Sequence, residues 1–132
     1  GQIFTFGNKL HIYDMAGREL IYIEQKLFRF LPEYTIYYLG KAMATVKKEF
    51  TFFKPKFNIY NRDVKYSILG NFLAMDFAIL RDGKEIAYVS KRWLSWGDTY
   101  AVDVADGENE AFILALVIVI DQVIYDDNHN NS

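Results

Sequence analysis

Cysteine is absent from the 132 residues of this chain, and its absence excludes several kinds of site at once. A disulfide framework, a thiolate zinc site and a cysteine nucleophile all need that side chain. A chain without cysteine also fits a reducing compartment, so we predict a cytoplasmic protein. Histidine is scarce as well. The chain has two, His11, which lies between two apolar strand residues, and His129, which lies in a polar stretch. Since nucleophilic catalysis needs a base beside the nucleophile, we predict no catalytic residue and no enzyme activity.

The chain also has no hydrophobic run long enough to span a membrane, which takes about 20 apolar residues. The longest run extends from Ala111 to Ile120 without a charge. A helix that is apolar on every side must be buried, whereas the β-branched residues at 117–120 would also suit a buried strand. The acidic segment 106–110 favours the helix, since it supplies an N-cap and an acidic first turn. We therefore predict a buried helix over about residues 108–125 and a polar tail at 126–132.

Basic residues are absent after position 92. Residues 1–92 carry all 15 Lys and Arg with 9 of the 17 Asp and Glu, a net charge of +6, and residues 93–132 carry the other 8 acids. Residues 1–92 would then form a basic surface through which the protein could bind peripherally to an anionic membrane. An ordinary surface of mixed charge is the simpler interpretation. Basic residues with aromatics between them suit lipid headgroups, unless the aromatics belong to the core. The candidate headgroup-binding residues are Lys47, Lys48, Lys54 and Lys56. We expect no nucleic-acid partner.

One aromatic-rich unit recurs five times along the chain. Each copy has a large apolar residue followed two positions later by Ile or Val, a spacing that places both on one face of a strand. A turn and a second alternating run follow each of the first four copies, with turns at 14–17, 38–41, 61–63 and 81–84. The unit is therefore a β-hairpin, and the repeats predict nine strands. The five pairs are Leu10 and Ile12, Tyr34 and Ile36, Phe57 and Ile59, Phe77 and Ile79, and Tyr100 and Val102.

The repeats predict a mainly β fold, in which antiparallel hairpins close into a β-barrel around the central hydrophobic C-terminal helix. Closure would remove the exposed edges of a sheet of this size, and the helix would fill the interior. In the run 41–47, the small residues Ala42, Ala44 and Val46 occupy alternate positions, and we expect them to face the helix. Residues 1–125 would then form a single domain.

Three stretches of the sequence, together with the final hydrophobic helix, resemble the LURP-one-related family. They are Phe4-Thr-Phe-Gly-Asn-Lys-Leu-His-Ile-Tyr-Asp14, Lys26-Leu-Phe28 and Lys91-Arg-Trp-Leu-Ser-Trp-Gly-Asp98. The resemblance covers residues 1–125 and indicates a bacterial member. It implies the closed barrel and central helix of tubby-like domains, with which the family and the phospholipid scramblases are grouped. Those barrels have more than nine strands, and this chain lacks an initial methionine, so we expect at least one further hairpin before residue 1.

The resemblance implies a function less directly than a fold. Tubby domains bind phosphoinositide headgroups through basic surface residues, although their binding motif has no residue-by-residue match here. The implied function is a non-enzymatic domain that binds anionic phospholipid headgroups or acts as a scaffold for a protein partner. The alternative is a small-molecule-binding or enzymatic barrel with a site at its mouth.

Two acidic features allow a functional interpretation beside a structural one. The segment 103–110 is superficially similar to a calcium loop, but ligand positions 3 and 12, counted from Asp103, hold Ala105 and Leu114. We therefore expect a turn and a helix start there, with no metal; in the absence of a Gly-rich phosphate loop, we expect no cofactor either. Asp121 interrupts the apolar helix and would lie where the helix leaves the barrel, or else be a buried functional carboxylate.

Overall fold

The computed structural model contains ten β-strands, one short 3₁₀ turn and one α-helix. It describes residues 5–6, 11–26, 31, 33–49, 56–94 and 97–130. The strands are β1 (Thr5–Phe6), β2 (His11–Tyr13), β3 (Glu19–Gln25), β4 (Glu33–Tyr38), β5 (Lys41–Glu49), β6 (Lys56–Asn61), β7 (Val64–Asn71), β8 (Asp76–Arg81), β9 (Lys84–Leu94) and β10 (Gly97–Val104). The 3₁₀ turn (Phe72–Ala74) joins β7 to β8, and the helix is α1 (Glu110–Asn130).

All ten strands belong to one antiparallel sheet, in which each strand pairs with its neighbours in the sequence. Strands β2 to β10 correspond to the nine strands expected from the repeats. The additional strand β1 pairs Thr5 with Tyr13, so the chain reverses direction between β1 and β2. The mainly β, antiparallel fold with a single C-terminal helix is confirmed. In the part of the chain that the structure describes, β1 and β10 are the two outer strands, and no pairing joins them.

One face of the sheet is the apolar face that the repeats predict. Both members of two pairs are fully buried, Tyr34 with Ile36 and Phe77 with Ile79. Ile12 and Ile59 are also buried. Phe57 and Val102 are partly buried and pack against the same core. Leu10 and the side chain of Tyr100 lie outside the described part of the chain.

The predicted inward position of Ala42 is wrong, because β4 and β5 do not pair in continuous register. Ile36 pairs with Ala44, but the next residue, Tyr37, pairs with Ala42, so β5 has one extra residue, a β-bulge. The extra residue, Met43, packs against the core, and Ala42 is exposed. Strict alternation cannot predict a bulge, since the inserted residue reverses the faces on one side of it.

The four predicted turns are confirmed as hairpin turns. Each contains left-handed backbone, which occurs at Gly17, Arg62, Leu39-Gly40 and Asp82-Gly83, with φ between 49° and 86°. In the first turn, a carboxylate oxygen of Asp14 accepts hydrogen bonds from the backbone N–H groups of Ala16 and Arg18, at 3.0 and 2.9 Å. The bond from Arg18 is the main cause of a lowered pKa of the Asp14 carboxyl.

Helix α1 begins after the turn that was expected from segment 106–110. The side-chain oxygen of Asn109 accepts a hydrogen bond from the backbone N–H of Phe112 at 3.0 Å, so Asn109 is the N-cap. The helix ends at Asn130 and therefore includes most of the predicted polar tail. Extending an existing helix costs far less than starting one, which explains why the helix does not end where its sequence becomes polar.

The helix is buried on nearly all its sides between residues 111 and 123. Leu114 and Ile118 are partly buried and pack against the core. Helix α1 packs against β3, β4 and β10, which come from opposite halves of the sheet, so the sheet curves around it. Among the residues described, no helix combines the length and the apolar character needed to cross a membrane. The fully buried helix residues are Ala111, Phe112, Ile113, Ala115, Leu116, Val117, Val119, Ile120 and Val123.

Candidate functional site

The predicted headgroup-binding lysines are distributed over two paired strands. Lys47 and Lys48 are consecutive on β5, so they point to opposite faces of the sheet. Lys47 is on the outer face, where its side chain is 46% exposed. Its ammonium group lies 3.8 Å from a carboxylate oxygen of Glu33 and 5.9 Å from the centre of the Tyr60 ring. Lys47 is thus balanced by an acid and supported by an aromatic ring.

The other three predicted lysines occupy different kinds of position. Lys48 lies on the same face of β5 as the buried residues Ala44 and Val46. Lys56 stands opposite Glu49 in the pairing of β5 with β6. Lys54 lies outside the described residues. Within the described strands, the register therefore puts the positions of Lys47 and Lys56 on one face of the sheet and that of Lys48 on the other.

A row of aromatic rings in contact with one another crosses the outer face of β2, β3 and β4. His11 pairs in register with Tyr22, and Tyr22 pairs with Tyr37. The ring centres of His11 and Tyr22 are 4.9 Å apart, and those of Tyr22 and Tyr37 are 5.8 Å apart with an interplanar angle of 25°. Tyr13 extends the row, since its ring stacks on His11 at 6.1 Å and 13°. We call these four residues the tyrosine ladder.

The ladder faces solvent because its members alternate with core residues. Ile12 lies between His11 and Tyr13 in the sequence, and it is buried. The ladder side chains are themselves half-buried. Neighbouring rings at these separations attract one another by about 0.5–1.5 kcal/mol per pair beyond the area they bury. The result is a preordered aromatic surface on the outer face of the sheet.

Polar and charged side chains around the ladder occur in pairs. The imidazole of His11 forms a hydrogen bond with the carboxylate of Glu19. The ammonium group of Lys26 lies 2.7 Å from a carboxylate oxygen of Glu24, and this bond raises the pKa of Lys26. Lys47 and Glu33 form a further pair on the same face, so both of these lysines have an acidic partner. An anionic membrane attracts lysines without such partners more strongly.

Sequence reasoning found only one member of the ladder. Alternation with its apolar neighbours places His11 on the outer face, but it does not show that the tyrosines lie beside it. The signal was present, because Tyr22 and Tyr37 follow the buried residues Ile21 and Ile36 and so occupy outward positions. What placed them side by side is the strand register, which a single alternating run does not specify.

A second polar group of residues lies at the entrance of the helix. The guanidinium of Arg81 donates a hydrogen bond to the carboxylate of Glu108, which is mostly buried. Tyr66 packs against Phe112, with ring centres 5.3 Å apart, and burial raises the pKa of its phenol. These contacts join β7 and β8 to the start of α1, so their role is to hold the helix in place. Asp121, farther along α1, is exposed, as expected for a residue leaving the core.

The described residues contain no cluster of side chains that could bind a metal ion. No three side chains of His, Cys, Asp or Glu in that part of the chain lie close enough together to hold a metal ion. Segment 103–110 is the end of β10, a turn and the first residue of α1, as expected from its failed calcium pattern.

Comparisons with known proteins identify the family. The sequence profile of the family described as LURP-one-related matches residues 1–121. The chain belongs to the LURP-one-related family. The family inferred from the sequence stretches is thereby confirmed. A bacterial relative, the uncharacterized protein YxjI of Bacillus subtilis (strain 168), is 41% identical over 128 residues, which cover 96% of this chain and 77% of that protein. No solved structure gives a significant match to this LURP-one-related chain.

Proposed function

We propose that this LURP-one-related chain is a non-enzymatic interaction domain that binds a protein partner through the tyrosine ladder. The observation that carries the proposal is the contact of four half-exposed aromatic rings, two pairs stacked and one tilted, on the outer face of β2 to β4. Tyrosine is among the residues most enriched at the energetic centres of protein interfaces, because a ring buries a large area at a small entropic cost. A stacked row loses little further freedom on binding, since its rings are already ordered.

The interior of the sheet is the less suitable place for a function. Buried side chains of α1, such as Phe112, Leu116 and Ile120, occupy it. In the proposed architecture the sheet closes around α1 as a barrel, which agrees with the packing of α1 against β3, β4 and β10. A small molecule would then have to bind at the mouth of the barrel. The ladder needs no such opening, because it already faces solvent.

A protein partner fits the ladder better than a membrane does. The charged groups around the rings are paired, as in Lys47 with Glu33 and Lys26 with Glu24. Centres of protein interfaces are depleted in uncompensated charge and rich in aromatic residues. An anionic membrane would instead require several lysines without acidic neighbours.

Site-specific cross-linking in living cells tests the proposal. A photoreactive benzophenone amino acid would replace Tyr22 in the full chain, expressed in its own bacterium. We expect one cross-linked protein, which would then be purified and its affinity measured directly. The double variant Tyr22→Ala, Tyr37→Ala should lower that affinity about tenfold or more, as truncation of interface hot spots does.

Tyr60→Ala is the matched control, because Tyr60 is a half-buried tyrosine of β6 outside the ladder. It should leave the affinity unchanged. The proposal is wrong if benzophenone at Tyr22 gives no discrete product, or if the double variant binds the purified partner as tightly as the original chain. Thermal unfolding of each variant would establish that the fold is intact.

A second candidate function is contact with anionic phospholipid through the predicted lysines. The observation in its favour is the outward ammonium of Lys47 above the Tyr60 ring, because a lysine beside a tyrosine suits the membrane–water interface. Each such cation near a membrane contributes about 1 kcal/mol. Binding through so few lysines would be weak and reversible.

Cosedimentation with vesicles tests the lipid candidate. Vesicles with phosphatidylserine or a phosphoinositide should bind the chain at low salt, and vesicles of neutral phosphatidylcholine should not. Exchange of Lys47, Lys48, Lys54 and Lys56 for Glu should abolish the binding. Lys47→Glu alone should weaken it with little change in melting temperature, because Lys47 is exposed and exposed charges add little stability. Binding should vanish near about 0.3 M salt, where the screening length falls below about 8 Å. If the chain ignores anionic vesicles at low salt, this candidate fails.

A further inference from the structure

The outer face of β7, β8 and β9 has an apolar row that the tyrosine ladder does not include. Leu69 pairs in register with Ala78, and Ala78 pairs with Tyr88. Ala78 lies between the core residues Phe77 and Ile79, so its side chain points outward. Leu69 is nevertheless 68% exposed, Tyr88 is 38% exposed and Ala78 only 5%. The row is therefore a shallow groove with a small residue as its floor and larger apolar side chains as its walls.

The groove contains a large part of the exposed apolar surface of the described residues. Five large apolar residues are exposed in that part of the chain, and two of them are the walls, Leu69 and Tyr88. A third, Leu73, belongs to the 3₁₀ turn that joins β7 to β8. Apolar side chains that cluster on a sheet face are more informative than single ones, because clusters mark binding surfaces.

Acidic residues border the Tyr88 side of the groove. The hydroxyl of Tyr88 donates a hydrogen bond to Asp76 at 2.5 Å. This bond, with the negative charges of Asp76 and Glu85 nearby, raises the pKa of Tyr88. Asp103 on β10 pairs in register with Tyr88. The nearest outward base on β7 is Lys65, four residues from Leu69 and so about 13 Å along the strand.

We infer that the groove formed by Leu69, Ala78 and Tyr88 binds a basic segment of a partner protein, with one apolar side chain between Lys or Arg residues. The apolar side chain would lie over Ala78, and the flanking cations would meet Asp76, Glu85 and Asp103. Charge complementarity selects this occupant, because an anionic membrane would be repelled by the three carboxylates. The row crosses three strands, about 10 Å, which suits a few residues of an extended peptide.

The inference goes beyond the proposed function of the ladder, because it gives a second surface of the same domain its own class of partner. The two surfaces are separate in the sheet. The ladder lies on β2 to β4 and the groove on β7 to β9, with β5 and β6 between them. A domain with two such faces would hold two proteins together.

Selection from a phage-displayed library of random short peptides tests the inference on the purified full chain. We expect the enriched peptides to have an aliphatic or aromatic residue flanked by Lys or Arg. Synthetic copies should lose about tenfold or more in affinity for Leu69→Ser and for Asp103→Lys, measured by fluorescence anisotropy. Their affinity should also fall with added salt, because the flanking contacts are ionic.

Each of the two variants has a matched control on another surface. Met15→Ser removes a residue with the same 68% exposure as Leu69, from the turn between β2 and β3. Asp63→Lys reverses an exposed charge in the turn between β6 and β7. Both controls should bind the peptides as the original chain does. Because Leu69 and Asp103 are exposed, we expect all four variants to fold.

Several outcomes would overturn the inference. Enriched peptides without basic residues, no enrichment at all, or affinities that Leu69→Ser leaves unchanged would each do so. A dimer in sedimentation analysis that Leu69→Ser dissociates would make a second copy of the chain the occupant instead. Peptides that depend on Tyr22 and Tyr37 but not on Leu69 would refute the groove and leave the ladder in place. Failure of the cross-link at Tyr22 with success here would refute the ladder alone.

Discussion

Leucine has opposite energetic roles at positions 116 and 69. Leu116 lies in the middle of α1 and is fully buried, whereas Leu69 is 68% exposed on the outer face of β7. Truncating a buried leucine loses the transfer free energy of its methyl groups and leaves a cavity. Truncating an exposed leucine has neither cost. Residues of one type therefore serve the core at one position and are available for binding at another.

Leu116→Ala should lower the free energy of unfolding by about 2–5 kcal/mol, because Leu116 is fully buried and its truncation leaves a cavity. Leu69→Ala should change it by about 0.5 kcal/mol or less, as surface substitutions do. Urea unfolding of both variants measures the difference. Leu116→Asp should not fold at all, since it buries an unpaired charge. A soluble Leu116→Asp variant that melts cooperatively would show that α1 is not central.

Gly70→Ala should destabilise the chain more than Gly83→Ala. Both glycines have positive φ, at +125° and +86°. A side-chain carbon at Gly70 would lie 2.9 Å from the carbonyl oxygen of Asp76 and 3.0 Å from the Cα of Phe77, whereas one at Gly83 would meet nothing within 4 Å. Backbone strain costs about 1–3 kcal/mol at each position, and only Gly70 adds a backbone collision. Equal melting temperatures for the two variants would contradict this expectation.

At the scale of elements, the entrance of α1 is held by more than its apolar side chains. Asn109 caps the first turn, and the bond between Arg81 and Glu108 ties the preceding turn to β8. The backbone N–H of Ala105 also donates to the carbonyl of Ile86 on β9 at 2.9 Å. These contacts fix where the helix enters the curved sheet, which its apolar side chains alone would leave free to rotate.

Asn109→Ala should lower the free energy of unfolding by about 0.5–2 kcal/mol, because the N–H of Phe112 loses its acceptor. Asn109→Ser should retain most of the stability, since a serine hydroxyl accepts the same bond. Thermal unfolding of the two variants and the original chain measures the effect. If Asn109→Ala has the same melting temperature as the original chain, the cap contributes nothing and the other contacts at the entrance suffice.

At the scale of the whole molecule, sheet and helix depend on each other. The inner face of the sheet exposes isoleucines to α1, and α1 has no polar side between residues 111 and 120. Neither element alone can keep its apolar surface from water, and burial of that surface is the main favourable term in folding. The sheet and the helix should therefore fold and unfold together.

A chain that ends before Glu110 should be insoluble or lack a cooperative unfolding transition, because the inner face of the sheet would be open to water. A chain that ends at Tyr125 is the matched control. It should fold, because residues 126–132 are mostly polar. Soluble yield and thermal unfolding compare the two truncations. Cooperative melting of the shorter chain would show that the sheet is stable without α1.

The amino-acid sequence alone determined the fold class, because its signals are periodic and local. The spacing of two between Tyr34 and Ile36 specifies a strand face, and three of the four hairpin turns carry glycine. The uncharged run around Leu116 specifies a buried helix. The family followed from short stretches in the same way. Each of these features depends on neighbours in the sequence, so no tertiary information was needed to predict them.

Only the tertiary structure decided which outward residues lie together. Tyr22 and Tyr37 are neighbours because of the register of β3 and β4, and Leu69 and Tyr88 enclose Ala78 because of the registers of β7 to β9. The bulge at Met43 belongs to the same class of features. Register depends on pairing between distant residues, and solvent-facing positions carry little hydrophobic signal from which that pairing could be inferred. The core of this protein was therefore predictable from the sequence, and its binding surfaces were not.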